Sequence, residues 1–135
     1  MKYIRETTVM YADTDSYQVV WHGSYLRWFE EGRYSFCKNA GIPLKSLEMQ
    51  GITFPIIDMH VKYKAPAKIF DDIVIETLVS DVKSRTVTFS QTVKNKENNN
   101  ILVEAEFVCT NVNVKEGRMQ KFSKEIFKIF ENSVE

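Results

Sequence analysis

The chain has 135 residues, with 18 basic and 18 acidic side chains and a formal net charge of zero. Bulk charge therefore excludes a carrier of nucleic acid, which needs a surplus or stripe of Lys and Arg to displace counterions. A hydrophobic content of 44%, with only five glycines and three prolines, excludes disorder and low complexity and predicts one domain, residues 1–135, with a sizeable core.

Taken in chain order, Tyr3 to Tyr11 is rich in β-branched and aromatic residues and predicts a strand. A polar break follows at Asp13 to Ser16. From Ser24 to Ala40 the period changes: steps of about 100° per residue put Tyr25, Leu26, Phe29, Gly32, Phe36, Cys37 and Ala40 on one side of a helix. Arg27, Glu31 and Lys38 fall opposite, and Trp28 broadens the apolar arc. Gly41 and Pro43 mark the end, since glycine takes the left-handed cap position and proline cannot continue the helix. A helix apolar over half its circumference needs a sheet wrapped over it.

Four strands are expected next. In Pro55 to Lys64, Ile57, Met59, Val61 and Tyr63 alternate with Asp58, His60, Lys62 and Lys64. Ile73 to Val82 and Thr86 to Lys94 read as a hairpin, with Val87, Phe89 and Val93 inward. Asn95 to Asn100 reads as a solvated turn, and a long strand is expected from Leu102 to Lys115. Ser123 then caps a short amphipathic helix through Asn132. One long helix set apart from consecutive antiparallel strands is the α+β pattern.

The two cysteines, Cys37 and Cys109, lie far apart with no CxxC spacing and read as reduced, buried thiols. The segment Met1 to Thr8 carries charges where a secretory signal has its apolar run, and no stretch approaches the length of a membrane span. A cytoplasmic protein is expected.

Chemistry concentrates between the first strand and the long helix, in Tyr11 to Tyr25. Asp13, Asp15 and His22, one of only two histidines, meet there just ahead of a helix N-terminus. The free N–H groups and dipole of that terminus stabilise an oxyanion. The structural alternative is that the two aspartates cap turns and His22 fills space. A divalent-cation site on Asp13 and Asp15 alone has too few oxygen ligands.

Within this region, Asp13-Thr14-Asp15, Val19-Val20-Trp21-His22, Tyr25, Trp28-Phe29-Glu30 and Arg33 together resemble the signature of the 4-hydroxybenzoyl-CoA thioesterase-like (YbgC-type) acyl-CoA thioesterases. Tyr63 to Ala67, Asp71-Asp72 and Glu76-Thr77 resemble that family's following strand pair, and the likeness extends to about residue 115. It implies a hotdog fold: a long central helix wrapped by a five-stranded antiparallel sheet, here with a short C-terminal helix. It also implies a homodimer or homotetramer acting on acyl-CoA, with coenzyme A as part of substrate and product and no further cofactor or metal.

By the resemblance Asp15 is the catalytic carboxylate, activating water or attacking the thioester carbonyl itself. His22 binds the carbonyl oxygen through its N–H or ring. Tyr17, Gln18, Trp21, Gly23 and Tyr25 are the expected substrate contacts, with Trp28 as a further aromatic at the site. Gln18 stands where many members of the family have Gly and puts the loop shape and acyl preference in question, because glycine would supply left-handed backbone. Acyl-carrier-protein thioesters, or non-catalytic binding of acyl thioesters or proteins, are the alternative readings.

Outside this region, His60 reads as an exposed or interface residue and Cys37 as core. Glu30 and Arg33 read as an i,i+3 ion pair near a subunit interface. Asp71 and Asp72 read as loop-shaping residues, and Lys62, Lys64 and Lys68 are too generic to assign to the phosphates of coenzyme A.

Overall fold

The computed structural model describes residues 1–135. Its main sheet has five antiparallel strands: β1 (Lys2–Thr8), β3 (Ile56–Tyr63), β4 (Asp72–Val82), β5 (Thr86–Asn95) and β6 (Ile101–Thr110). They lie in the order β1-β4-β5-β6-β3, which puts β1 and β3 at the edges. The helix α1 (His22–Ala40) lies across the inner face, and the hotdog arrangement implied by the resemblance is the one observed.

Alternation builds the inner face. Ile73, Ile75 and Val79 of β4, Val87, Phe89 and Val93 of β5, and Val103, Phe107 and Cys109 of β6 are all buried. Against them α1 buries Tyr25, Trp28, Phe29, Gly32, Phe36 and Cys37. One apolar cluster surrounds the first half of α1 and a second surrounds its last turns, where α3 (Lys124–Ser133) closes the core with Ile126 and Phe130. Ser123 caps α3 as expected, its Oγ accepting the Ile126 N–H at 3.2 Å.

Between the two clusters the helix and sheet meet through polar atoms. Gln91, 1% exposed, donates from Nε2 to the Phe29 carbonyl at 2.9 Å and to Thr77 Oγ1 at 2.8 Å. Gly32 makes this approach possible, since a Cβ there would lie 2.6 Å from Thr77 Oγ1 and 2.9 Å from Gln91 Nε2.

Several boundaries differ from expectation. The first strand ends at Thr8, and Tyr11–Asp13 forms a single 3-10 turn instead of its continuation. Helix α1 begins at His22, two residues earlier than the apolar pattern indicates, with Trp21 as N-cap. The long last strand stops at Thr110, because Asn111 turns to bond Lys121 and Gln120. Beyond it lies a small second sheet of β2 (Ile52–Thr53), β7 (Val112–Asn113) and β8 (Arg118–Met119), next to a short helix α2 (Leu44–Met49). Gly41 ends α1 at φ 90°, as expected. No helix is long and apolar enough to cross a membrane.

Edge strand β3 leaves one backbone side unpaired. Met59, Val61 and Tyr63 face the helix side, opposite Phe107, Ala105 and Val103 of β6. Met59 and Tyr63 nevertheless stay about half exposed, as does Ile57, which falls in a register shift.

Candidate active site

The loop from Asp13 to Trp21 folds back on itself and is stitched to the first turn of α1. The Asp15 N–H donates to the Val19 carbonyl at 3.0 Å, and Thr14 and Val20 form an antiparallel bridge. The Asp13 carbonyl accepts both the Trp21 N–H and the Ser24 hydroxyl, each at 3.0 Å. On the other side Val19 bridges Lys68, and the Val20 N–H donates to the Ala67 carbonyl at 2.9 Å.

The two aspartates have different environments. Asp13 is buried, with Oδ2 accepting the Met10 N–H at 2.9 Å and Oδ1 bonded to Arg27 Nη2 at 2.8 Å. It is committed to the fold. Asp15 uses Oδ1 to accept the Tyr17 N–H at 2.8 Å, while Oδ2 has no partner within the chain and Asp15 forms no ion pair. The loop thus presents one free carboxylate oxygen.

The N-terminus of α1 supplies the complementary charge. Ser24 N–H closes onto the Trp21 carbonyl, but the N–H groups of His22 and Gly23 have no partner within the chain. Trp21 contributes no side-chain cap. Two donors at the positive end of a 19-residue helix therefore remain available to an oxyanion. The His22 ring is exposed and packs beside Trp21 (centroids 4.9 Å apart) and edge-on to Tyr63 (6.5 Å). Tyr63, which sequence reasoning placed on a strand face and in the second stretch of the resemblance but not in the site, donates its hydroxyl to the His22 carbonyl at 3.2 Å.

The expected substrate contacts separate into two groups. Tyr17 and Trp21 are 83% and 51% exposed, and Gln18 is also exposed, so all three face the open side of the loop. Gly23 lies under the six-membered ring of Trp21, into which a Cβ would collide. Tyr25, by contrast, is 2% exposed. Its hydroxyl accepts the Ala67 N–H at 3.0 Å, its ring packs on Trp28 and Tyr63, and burial holds its proton more tightly than usual. Tyr25 anchors the loop after β3 and does not line an open surface; Trp28 is likewise core.

Gln18 adopts φ 64°, the left-handed conformation that the family's glycine would take. Its N–H donates to the Asp15 carbonyl at 3.0 Å, so the tight turn is kept despite the side chain.

Elsewhere, Cys37 and Cys109 are free and buried. Desolvation, reinforced by the neighbouring Cys109, pushes the Cys37 thiol up to about 12, which removes it as a nucleophile near neutral pH. His60 is exposed and stands opposite Glu106 on the outer sheet face, away from the helix. Asp71 and Asp72 shape their loop, accepting the Lys68 N–H and the Thr8 hydroxyl. The expected Glu30–Arg33 ion pair is absent: Arg33 Nη1 instead donates to Gln91 Oε1 at 3.0 Å, and its guanidinium lies 4.3 Å from the Phe107 ring centroid.

A family model described as "Thioesterase-like superfamily" matches residues 9–130, a span that includes the loop, α1 and every strand of the main sheet but β1. The chain belongs to the thioesterase-like superfamily. Among relatives of this thioesterase-like chain, the Escherichia coli protein named acyl-CoA thioester hydrolase YbgC is 33% identical over 98 residues, 73% of this chain and 72% of that one. A Bacillus subtilis relative, YneP, is 34% identical over 77 residues, so that match spans 57% of this chain and 56% of the relative's length. The structure of a 1,4-dihydroxy-2-naphthoyl-CoA thioesterase from Synechocystis superposes with a TM-score of 0.87 over 96% of each chain, at 16% identity, a likeness of fold.

Proposed function

We propose that this chain hydrolyses acyl-CoA thioesters to a free carboxylic acid and coenzyme A. The observation that carries the reading is the unpartnered Oδ2 of Asp15 in a loop that is hydrogen-bonded to the start of α1, where the N–H groups of His22 and Gly23 are also unpartnered. In the reaction, the Asp15 carboxylate takes a proton from water as the water oxygen bonds to the thioester carbon. The carbonyl oxygen becomes an oxyanion and accepts from the helix N–H pair. Collapse re-forms the carbonyl, breaks the C–S bond and releases the thiolate, a good leaving group, which takes up a proton to give the coenzyme A thiol. Direct attack by Asp15 would use the same donors and pass through an acyl-aspartyl anhydride, and a single turnover in labelled water places label in the protein carboxylate when water opens that anhydride at the Asp15 carbonyl. The His22 backbone contributes the donor, and its exposed ring flanks the bound ester with Tyr17, Gln18 and Trp21.

The residues acting in this scheme all come from the chain, and it requires no cofactor beyond the coenzyme A of the substrate. Residues 1–135 act as one hotdog domain. The unpaired backbone edge and half-exposed apolar side chains of β3 support a homodimer joined along that edge, which shelters the open side of the loop and forms the unit of any tetramer. Two free thiols fit a reducing cytoplasm. The test is release of free thiol from a panel of short, medium, branched and aromatic acyl-CoAs. Turnover of at least one class is expected, and no thiol release from any ester would overturn the reading.

A further inference from the structure

The hydroxyl of Tyr63 lies 3.2 Å from the His22 carbonyl oxygen. A carbonyl carries no proton, so the phenol is the donor. Burial raises its pKa above the usual value, which keeps the proton on the oxygen through the neutral range. The residue is well fixed: it ends β3 opposite Val103, and the next two N–H groups, of Lys64 and Ala65, both donate to the Leu102 carbonyl at 2.8 and 3.1 Å. Its ring stands 5.6 Å from that of Tyr25 and 6.5 Å from that of His22.

The oxygen it bonds is one end of the peptide unit that joins His22 to Gly23. The other end of the same planar unit is the Gly23 N–H. That N–H is one of the two left unpartnered at the start of α1. Resonance couples the ends: a hydrogen bond to the oxygen draws charge from the nitrogen and makes its N–H a stronger donor, as in chains of hydrogen bonds that polarise one another. The bond also sets direction. Position 23 must be glycine because the Trp21 ring lies where a Cβ would be, and glycine leaves its backbone less restrained. The phenol supplies a restraint, and because the unit is planar, holding its oxygen aims its N–H.

We propose that Tyr63 is a positioning residue for the reaction: it holds and polarises the His22–Gly23 peptide, so that the Gly23 N–H stabilises the oxyanion more than an unassisted helix N–H would. The proposal rests on the reading of that N–H as an oxyanion donor, and it needs only a contact made within one chain. Charge on the carbonyl oxygen is greatest in the transition state, so the effect belongs to kcat and not to KM.

The experiment uses Tyr63→Phe, which keeps the ring, and 3-fluorotyrosine in place of Tyr63, a stronger donor. An oxyanion donor is worth about 10²–10³ in kcat and polarisation about a tenth to a third of that in free energy, so Tyr63→Phe should lower kcat about two- to eightfold with KM within about twofold. The fluorinated protein should equal or exceed the wild type. In Asp15→Asn, the fastest acyl-CoA labelled with ¹³C at its carbonyl should shift downfield on binding, and less so when Tyr63→Phe is added. The Gly23 ¹⁵N resonance should move upfield in Tyr63→Phe while those of Gly32 and Gly41 stay in place. An unchanged kcat overturns the proposal, as does a loss confined to KM. A loss that follows dissociation of the oligomer with the ¹³C shift unchanged also overturns it, assigning Tyr63 to the subunit contact. No downfield shift with Tyr63 present overturns the donor reading, and the proposal with it. If the wild type hydrolyses no ester, the hydrolase reading fails, and the Gly23 resonance alone decides whether Tyr63 polarises this peptide.

Discussion

Arg27 Nη2 bonds Asp13 Oδ1 at 2.8 Å, and this bond separates the roles of two aspartates that stand two residues apart. The buried carboxylate of Asp13 closes the 3-10 turn through the Met10 N–H and stitches the loop to α1. Asp13→Asn is expected to cost about 1–2 kcal/mol of stability, mostly from the buried acceptor, because Arg27 is largely solvent-exposed and the ion pair is screened. Activity per folded molecule should fall far less than for Asp15. Urea unfolding beside thiol-release kinetics on the same preparation checks both statements.

Gln18 at φ 64° gives a second prediction. Left-handed backbone costs a non-glycine residue about 1 kcal/mol, so Gln18→Gly should leave stability unchanged or raise it by up to that amount, the flexible unfolded chain offsetting part of the gain. Gln18→Val, β-branched, should lower it by more than about 1 kcal/mol. Denaturation midpoints for the two variants should move in opposite directions or differ by at least that sum.

At the centre of the fold, Gly32→Ala drives a methyl against Thr77 Oγ1 and Gln91 Nε2. Overpacking and a disturbed Gln91 network predict a loss of about 1–3 kcal/mol. Gly32→Ala with Thr77→Ala tests the contact, since the paired substitutions should be non-additive if the two residues meet as described.

The parts of this fold that were legible in the sequence have a strong period or a local cap. Helix α1 shows its apolar arc and its Gly41 stop, β3 to β5 alternate, and Ser123 announces α3. Helix α2 and the two-residue strands β2, β7 and β8 are too short to show a period, and they exist because distant segments pair. The start of α1 was displaced by two residues because Trp21, an N-cap without a capping side chain, carries no sequence signal. In the site, the residue types of the loop pointed to the chemistry, but Asp13 and Asp15 look alike until Arg27 is folded against one of them. Arg33 invited a local partner, Glu30, whereas the sheet provided Gln91, 58 residues away in the chain. Tyr25 was legible as aromatic and near the site, and only packing shows that its hydroxyl is already occupied by Ala67.

Cys37 predicts an alkaline limit. Its thiol is raised by burial from an ordinary value of 9.0 to about 12, so the folded state holds the proton more tightly than the unfolded chain. The sign follows from linkage: this contribution is fully present below about pH 9 and is lost as pH rises towards about 12. Cys37→Ala should flatten the fall of unfolding free energy over that range, and native Cys37 should react slowly with iodoacetamide until the protein unfolds. Equal alkaline slopes for both proteins would contradict the buried-thiol account.

The central claim is that the free carboxylate oxygen of Asp15 drives thioester cleavage, and Asp15→Asn tests it most directly. Asparagine keeps an Oδ1 to accept the Tyr17 N–H, so the turn should persist and the thermal midpoint should stay close to that of the wild type. Thiol release from the best acyl-CoA is expected to fall by about 10²–10⁴-fold, the usual contribution of a positioned general base. Wild-type turnover by a folded Asp15→Asn protein, or by Asp15→Ala, would contradict the account.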